Sequence, residues 1–365
     1  MRAAVLYGAN EPLRIAELEQ QEPQPGEVLV RMAAAGVCAS DHHVMQGTAA
    51  LPTPVVLGHE GAGVVEAVGE GVTSVKPGDR CILSFVSNCG HCRQCRSGSP
   101  QLCDTNAMTG AKQYDGSTRL TDGERTEILQ MSKLGTFSEA IVCPEQACMP
   151  VPDDVPMEVA ALIGCCVTTG VGGVINQPEI EAGAKIAVFG CGGVGLNCVQ
   201  GAVIAGALRV IAIDRVETKL AMATELGATD VVDASGGGAV EKVLELTGGG
   251  VDYSFEAVGT KETAEQAFEM LGKRGTATII GMIPEGIKIE LDGGSFLRRG
   301  ERRIQGCWMG SNRFRVDMPR YVELYRQGRL KLDELVSQRM RLDQINAAFD
   351  DMKQGHVIRT VITFE

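Results

Sequence analysis

The stretch KIAVFGCGGVG, residues 185–195, limits the fold more than any other part of the chain. It opens with a continuous apolar run bounded by glycine, as expected of a strand buried on both faces in a parallel sheet. Gly190, Gly192 and Gly195 follow in G-x-G-x-x-G order and lead into GVGLNCVQGAVIAGA, which reads as a helix. The triplet alone is a weak signal; between a strand and a helix it marks a dinucleotide-binding turn. The first glycine allows the tight turn. The second lets the backbone approach a pyrophosphate, the third allows close helix–strand packing, and the phosphates face the positive helix end. Asp214 ends the next apolar strand, RVIAID. A carboxylate there accepts hydrogen bonds from a ribose diol and repels a 2′-phosphate, which favours NAD over NADP; the adjacent Arg215 softens that preference. A structural turn that binds nothing, and a site for FAD or another nucleotide, stay open as alternatives.

The alternation continues beyond this unit. ETKLAMATELG, AVEKVLELTGG and KETAEQAFEMLG read as helices between the strands ATDVVDA, VDYSFEAVG and GTATIIGM, which predicts a doubly wound parallel sheet. Residues 1–150 differ: short β-branched runs alternate with glycine and a Pro-Gly-Asp turn, predicting a barrel-like or sandwich-like β domain. At 365 residues the chain is long enough for two such domains. Residues 104–138 are polar and turn-rich and read as a surface excursion. The tail from 317 carries two helical stretches and ends on a strand, VIRTVITF.

A formal charge of −12 argues against a nucleic-acid partner, because a phosphate polymer is repelled. The N-terminal MRAAVLYGAN has no signal-like apolar core, and the apolar runs read as shorter than a membrane span, so a cytoplasmic protein is expected. The 13 cysteines then point to metal ligands and buried thiols rather than disulfides.

Two cysteine systems stand out. Cys89, Cys92, Cys95 and Cys103 lie in a hydrophilic loop as C-x2-C-x2-C-x7-C. Four thiolates so close fit a closed tetrahedral zinc site, which braces a loop and has no open position for catalysis. An iron–sulfur cluster is the competitor, although its bacterial motif continues x3-C-P. The second system is dispersed. GVCASDHH supplies Cys38, Ser40, Asp41 and His43, and LGHEGAG supplies His59 and Glu60. A catalytic zinc needs three protein ligands and an open position. Cys38 and His59 provide two, and spacing alone does not choose between the adjacent Cys165 and Cys166 for the third.

In that order, GVCASDHH, GHEGAGVVEAVGEGV, KPGDRC, CGHCRQCRSGSPQLC, IGCCVTTG and GCGGVG resemble the zinc-dependent medium-chain alcohol dehydrogenases, specifically the liver-type, long-loop branch. The resemblance covers nearly the whole chain. It implies an α/β protein with a GroES-like β-rich catalytic domain at 1–166, completed by 309–365, and a Rossmann NAD-binding domain at 167–308, assembled as a homodimer. It implies NAD-dependent, reversible oxidation of an alcohol, primary or secondary, to aldehyde or ketone, with hydride passing to the nicotinamide. Cys165 occupies the ligand place in the family motif, so Cys38, His59 and Cys165 are the implied catalytic zinc ligands, while Cys166 stands where glycine is usual. Glu60 is the implied carboxylate beside the metal, Asp41 the acceptor that orients His59, and Ser40 and His43 the proton relay. Thr169 and Val194 match nicotinamide contacts and Arg359 a pyrophosphate contact; Gly193, Lys219 and Val258 complete the implied cofactor set. Phe85, Met108, Phe137 and Met282 match an apolar substrate wall, whose alternative is ordinary core packing. The alternatives are a thiol-adduct (formaldehyde-type) dehydrogenase, although GTAALPTP carries no acid for a glutathione adduct, and a catalytically silent cofactor-binding relative.

Overall fold

A computed structural model describes residues 1–105, 110–355 and 357–364. The chain divides into two compact units: Met1–Cys165 with Arg313–Gly328 and Leu332–Glu365, and Cys166–Asn312 with Arg329–Lys331.

The first unit is built on β-sheets. The strand Glu27–Gly36 is central: Glu60–Val68 pairs along one edge, and Ala140–Pro144 and Arg359–Thr363 pair at its two ends. The C-terminal strand Arg359–Thr363 also runs parallel to Val336–Arg341, so the tail is woven into this sheet. A second sheet joins Arg2–Leu6, Arg14–Glu17, Val55–Val56 and Glu127–Gln130. One apolar cluster gathers Leu6, Val37, Leu57, Phe137 and Phe349; another gathers Val28, Val30, Cys81, Cys143 and Cys148. The three buried thiols are small core hydrophobes here, with Cys143 and Cys148 sulfurs 3.7 Å apart.

The excursion at 104–138 is less superficial than its polarity suggests. Arg119, Leu120, Ile128 and Gln130 are all buried. The Arg119 guanidinium donates to both Glu27 carboxylate oxygens at 2.7 Å and to Asp115 at 2.7 Å. A charge taken from water must be paired and hydrogen-bonded, and this one is.

The second unit is a six-stranded parallel sheet in the order Asp230–Asp233, Arg209–Asp214, Lys185–Phe189, Val251–Glu256, Leu271–Ile279, Arg303–Gly306. That is the doubly wound order with its switch point beside Lys185–Phe189, where ligands sit at the carboxyl ends of the strands. Arg303–Gly306 is an edge strand.

Chain passes between the units inside a helical run: α-helix Met157–Leu162, a π-turn over Ile163–Val167, then α-helix Thr168–Ile175. The expectation that every apolar run is too short to span a membrane needs correcting here. Met157–Ile175 has 19 residues and a mean hydropathy of 1.8, enough by length and composition. With 89% of its apolar window buried, it is read as a core helix.

Candidate functional site

Three places in the first unit converge. Cys38 follows the central strand and caps the short helix Ala39–Met45. His59 directly precedes the strand Glu60–Val68. Cys165 sits in the π-turn. All of these, and Glu60, are buried, and one ligand atom from each lies within 4.8 Å of the others. Cys165 Sγ is 3.5 Å from His59 Nε2. A π-turn adds a residue to a helical run and commonly marks a functional position. Cys166 Sγ, the next residue, is instead 3.9 Å from Asn197 Nδ2, which also donates to the Gly193 carbonyl at 2.7 Å. The two adjacent thiols thus have different neighbours.

Glycines make room for this set. A Cβ on Gly36 would stand 2.1 Å from Glu60 Oε2, and Gly58, at φ +95°, precedes His59 where a Cβ would meet Thr136 Oγ1 at 2.4 Å. Asp41 Oδ1 accepts from His59 Nδ1 and from the Gly58 amide, both at 3.0 Å. That bond leaves Nε2 facing the thiols, the second-shell arrangement that fixes a ligating imidazole. The Cys165 contact first, and the charge of His59, hold the Cys38 thiol well below its ordinary range against burial. Burial works against a charged His59, yet Asp41 and Cys38 together raise it well above the ordinary imidazole value. Burial pushes Glu60 up to about 7, opposed by the buried Arg359 guanidinium that bonds its Oε2. Glu60 Oε1 has no hydrogen-bond partner among the described residues.

Zinc fits these donors. Tetrahedral bonds of ~2.0–2.3 Å separate ligand atoms by about 3.3–3.8 Å, and the Cys165–His59 spacing of 3.5 Å falls in that range. Two thiols and one imidazole are the three protein ligands that a catalytic zinc would take, with the Glu60 carboxylate alongside.

The second set also assembles. Cys89, Cys92, Cys95 and Cys103 bring their sulfurs within 4.8 Å of one another. The Cys89–Cys95 and Cys92–Cys103 pairs are 4.0 and 3.9 Å apart. Backbone amides point at these sulfurs: Cys89 N to Cys103, Cys92 N to Cys89, Cys95 N to Cys92. The Thr105 hydroxyl and the His91 amide draw Cys89 down to about 5, while burial and its thiol neighbours push Cys95 up to about 12. Packed thiols cannot all ionise side by side, and a divalent cation among them removes that conflict.

Around the first set, Phe85 lies edge-on to His59, centroids 5.0 Å apart. Phe137 is fully buried in the core beside Phe349, consistent with its packing alternative. Met108 lies outside the described residues. Met282 belongs to the second unit and is 43% exposed. Ser40 Oγ is 3.7 Å from Cys38 Sγ, and His43 is half-buried on the same short helix. Arg359 is buried against Glu60.

In the second unit the glycines divide their work. Gly190 takes φ +92°, and a Cβ there would meet Val258 Cγ2 at 2.6 Å. A Cβ on Gly195 would lie 1.6 Å from the Gly190 carbonyl oxygen, while Gly192 faces open space. Gly192 is the N-cap of the helix Gly193–Ile204, whose first-turn amides have no acceptor within the helix, and a Cβ on Gly192 would project into open space where an anion could approach. Asp214 is held from below: Oδ2 accepts from Cys191 N at 2.7 Å, Oδ1 from the Arg215 and Val216 amides at 2.7 and 3.0 Å. Arg215 is exposed, and Val194 and Lys219 are half-buried. Thr169 is buried, with its hydroxyl 3.4 Å from Met309 Sδ.

One residue here was missed from sequence. Glu256 is fully buried at the end of the strand Val251–Glu256. Its Oε1 accepts from the Val258 amide (2.8 Å), the Gly259 amide (2.7 Å) and the Thr263 hydroxyl (2.8 Å). An acid ending an apolar strand before Ala-Val-Gly was the available signal.

Comparison with known proteins agrees with this architecture. A family model described as "Alcohol dehydrogenase GroES-like domain" matches residues 24–153, and one described as "Zinc-binding dehydrogenase" matches residues 193–326. The chain is 43% identical to an NDMA-dependent alcohol dehydrogenase of Amycolatopsis methanolica, over 99% of this chain and 98% of that one. It is 38% identical to an alcohol dehydrogenase class-3 of Dictyostelium discoideum, over 99% and 97%. The crystal structure of benzyl alcohol dehydrogenase from Acinetobacter calcoaceticus superposes with a TM-score of 0.91 at 31% identity, covering 100% of this chain and 99% of that one. With its GroES-like domain, its parallel dinucleotide-binding sheet and relatives matched end to end, the chain belongs to the zinc-dependent medium-chain alcohol dehydrogenase family.

Proposed function

We propose that this chain oxidises apolar alkyl or aromatic alcohols to aldehydes or ketones, reversibly, with NAD as hydride acceptor. The observation that carries the reading is the buried Cys38–His59–Cys165 set, with His59 Nε2 turned to the thiols by Asp41. In this reading those three hold a catalytic zinc with Glu60 beside it, and Cys89, Cys92, Cys95 and Cys103 hold a second zinc that braces their loop. Bound zinc supplies a Lewis acid that lowers the pKa of an alcohol hydroxyl, and bound NAD takes the hydride.

The chain's own residues do the rest. Asp41 fixes the imidazole tautomer, and Arg359 holds Glu60 through one nitrogen and is assigned a pyrophosphate contact as well. Phe85 covers the His59 edge with apolar surface. Ser40 accepts the proton released from the substrate, and His43 passes it towards water. Gly192 and the amides of Gly193, Val194 and Gly195 receive the pyrophosphate. Asp214 binds the adenosine ribose, with Arg215 and Lys219 alongside, and Thr169 and Val258 border the cofactor. Residues 1–166 with 309–365 act as the catalytic domain and 167–308 as the cofactor domain. A homodimer is supported by the edge strand Arg303–Gly306 and the adjacent Trp308, 38% exposed. A cytoplasmic location follows from the same reading.

The test is NAD reduction across a panel of alkyl and aromatic alcohols, with and without added thiol, and with and without NDMA. Turnover of apolar alcohols with NAD, lost in Cys38→Ala, supports the proposal; no alcohol turned over by zinc-loaded protein defeats it. The class-3 relative favours a second reading, a thiol-adduct dehydrogenase. It requires formaldehyde oxidation only in the presence of a low-molecular-weight thiol.

A further inference from the structure

His43 and Thr48 close a small hydrogen-bonded turn at the end of the helix Ala39–Met45. The amides of Thr48 and Ala49 donate to the His43 carbonyl oxygen at 3.0 and 3.1 Å. Thr48 Oγ1 lies 3.0 Å from that same carbonyl and 3.2 Å from His43 Nδ1. A threonine hydroxyl has one proton to give and lone pairs to accept with. If it donates to the carbonyl, it accepts from Nδ1–H, and both contacts are hydrogen bonds. If it donates to Nδ1, two oxygens face each other at 3.0 Å with no proton between them. The first arrangement also survives protonation of the ring, since Nδ1 is a donor in neutral and charged forms alike. The second must break each time the ring is charged, because imidazolium has no acceptor.

We infer that Thr48 is a positioning residue that holds His43 in its Nδ1–H tautomer, leaving Nε2 as the atom that takes the proton leaving the active site. This rests on the reading of His43 as the outer member of the relay. When the proton arrives, the Nε2 lone pair forms the new N–H bond and the donor oxygen keeps its electron pair. The Nδ1–H···Thr48 bond is undisturbed. Release of the Nε2 proton to water restores the starting tautomer, so no side chain or hydroxyl turns over during the cycle.

The tautomer is directly observable. In ¹⁵N-labelled, zinc-loaded, full-length protein, long-range ¹H–¹⁵N correlation separates protonated from lone-pair ring nitrogens, and His43→Gln identifies the His43 signals. The expected spectrum has a protonated Nδ1 and a lone-pair Nε2 in the neutral ring. Thr48→Ser keeps that pattern; Thr48→Val loses it, and its kcat falls about fivefold, the weight of one neutral hydrogen bond, with the alcohol KM unchanged. A wild-type ring in the Nε2–H form, or a Thr48→Val spectrum identical to wild type, overturns the role given to Thr48. An unchanged kcat in His43→Gln overturns the relay reading instead, and the catalytic weight of Thr48 with it.

Discussion

Asp41 carries more of the proposed chemistry than its size suggests. It is fully buried, and its Oδ1 serves both the imidazole it orients and the amide of the glycine before it. Replacing it by asparagine keeps the shape but removes the negative charge and offers an amide that can point the wrong way. Partners of ligating histidines typically change metal affinity or activity by about 10–100-fold. Asp41→Asn is expected to lower zinc occupancy or kcat by that factor while the melting temperature stays near wild type, as metal analysis and calorimetry will read. The Cys38 and His59 candidates were legible in sequence because metal-ligand chemistry restricts residue type so strongly. The choice of Cys165 over Cys166 was legible only through the family motif, because residue spacing does not show the π-turn that gives the two thiols different neighbours. Thr48 and Glu256 escaped for a related reason: each acts through a backbone amide or carbonyl that only the folded turn supplies.

Among the elements, the glycine-rich turn gives the sharpest contrast. A Cβ at Gly195 would overlap the Gly190 carbonyl, whereas one at Gly192 meets nothing. Gly195→Ala is therefore expected to destabilise the strand–helix junction and lower the melting temperature. Gly192→Ala should fold normally and raise the KM for NAD, since its methyl would occupy the approach a phosphate needs. Equal losses of stability in both variants would contradict the division of roles. This element was readable from sequence because steric rules for a strand–glycine–helix turn are local. The excursion at 104–138 was misjudged for the opposite reason: Arg119 finds Glu27 across 92 residues of chain. Breaking such a buried pair leaves an uncompensated carboxylate, at a cost of about 3–5 kcal/mol. Arg119→Met should show that loss in denaturant unfolding. Asp115, at the exposed end of the same network, is drawn down to about 2 from an ordinary 3.8, first by Ser117 and also by Arg119. A lowered carboxylate stabilises the fold above its unfolded value and loses that contribution as pH falls through about 2. Asp115→Asn should accordingly be less stable than wild type at neutral pH and converge with it near pH 2.

At the scale of the molecule, the two thiol-rich sets predict opposite consequences for the same chemical change. The Cys38 set is built into strands, a capped helix and a π-turn that are each held by their own backbone bonds and by apolar clusters. Removing a metal bound there is expected to take away chemistry and little structure. The Cys89 set lies on a loop with only a one-turn helix, Arg93–Arg96, and a 3-10 turn, Pro100–Leu102, for regular structure. Its amides at Cys89, Cys92 and Cys95 point at sulfurs, and its carbonyl-bound amides close only local turns, so a metal bound there would supply the long-range tie the segment lacks, and its binding energy would be folding energy. Wild-type protein is expected to hold two zincs per chain. Cys38→Ala should hold one, keep its melting temperature within a degree or two and lose turnover. Cys92→Ala should also hold one, yet melt lower by at least about 5 °C, more than ~1 kcal/mol for a chain of this size. It should keep residual turnover at temperatures where it is folded. Equal melting temperatures for the two variants would mean that the loop is braced by something other than its metal.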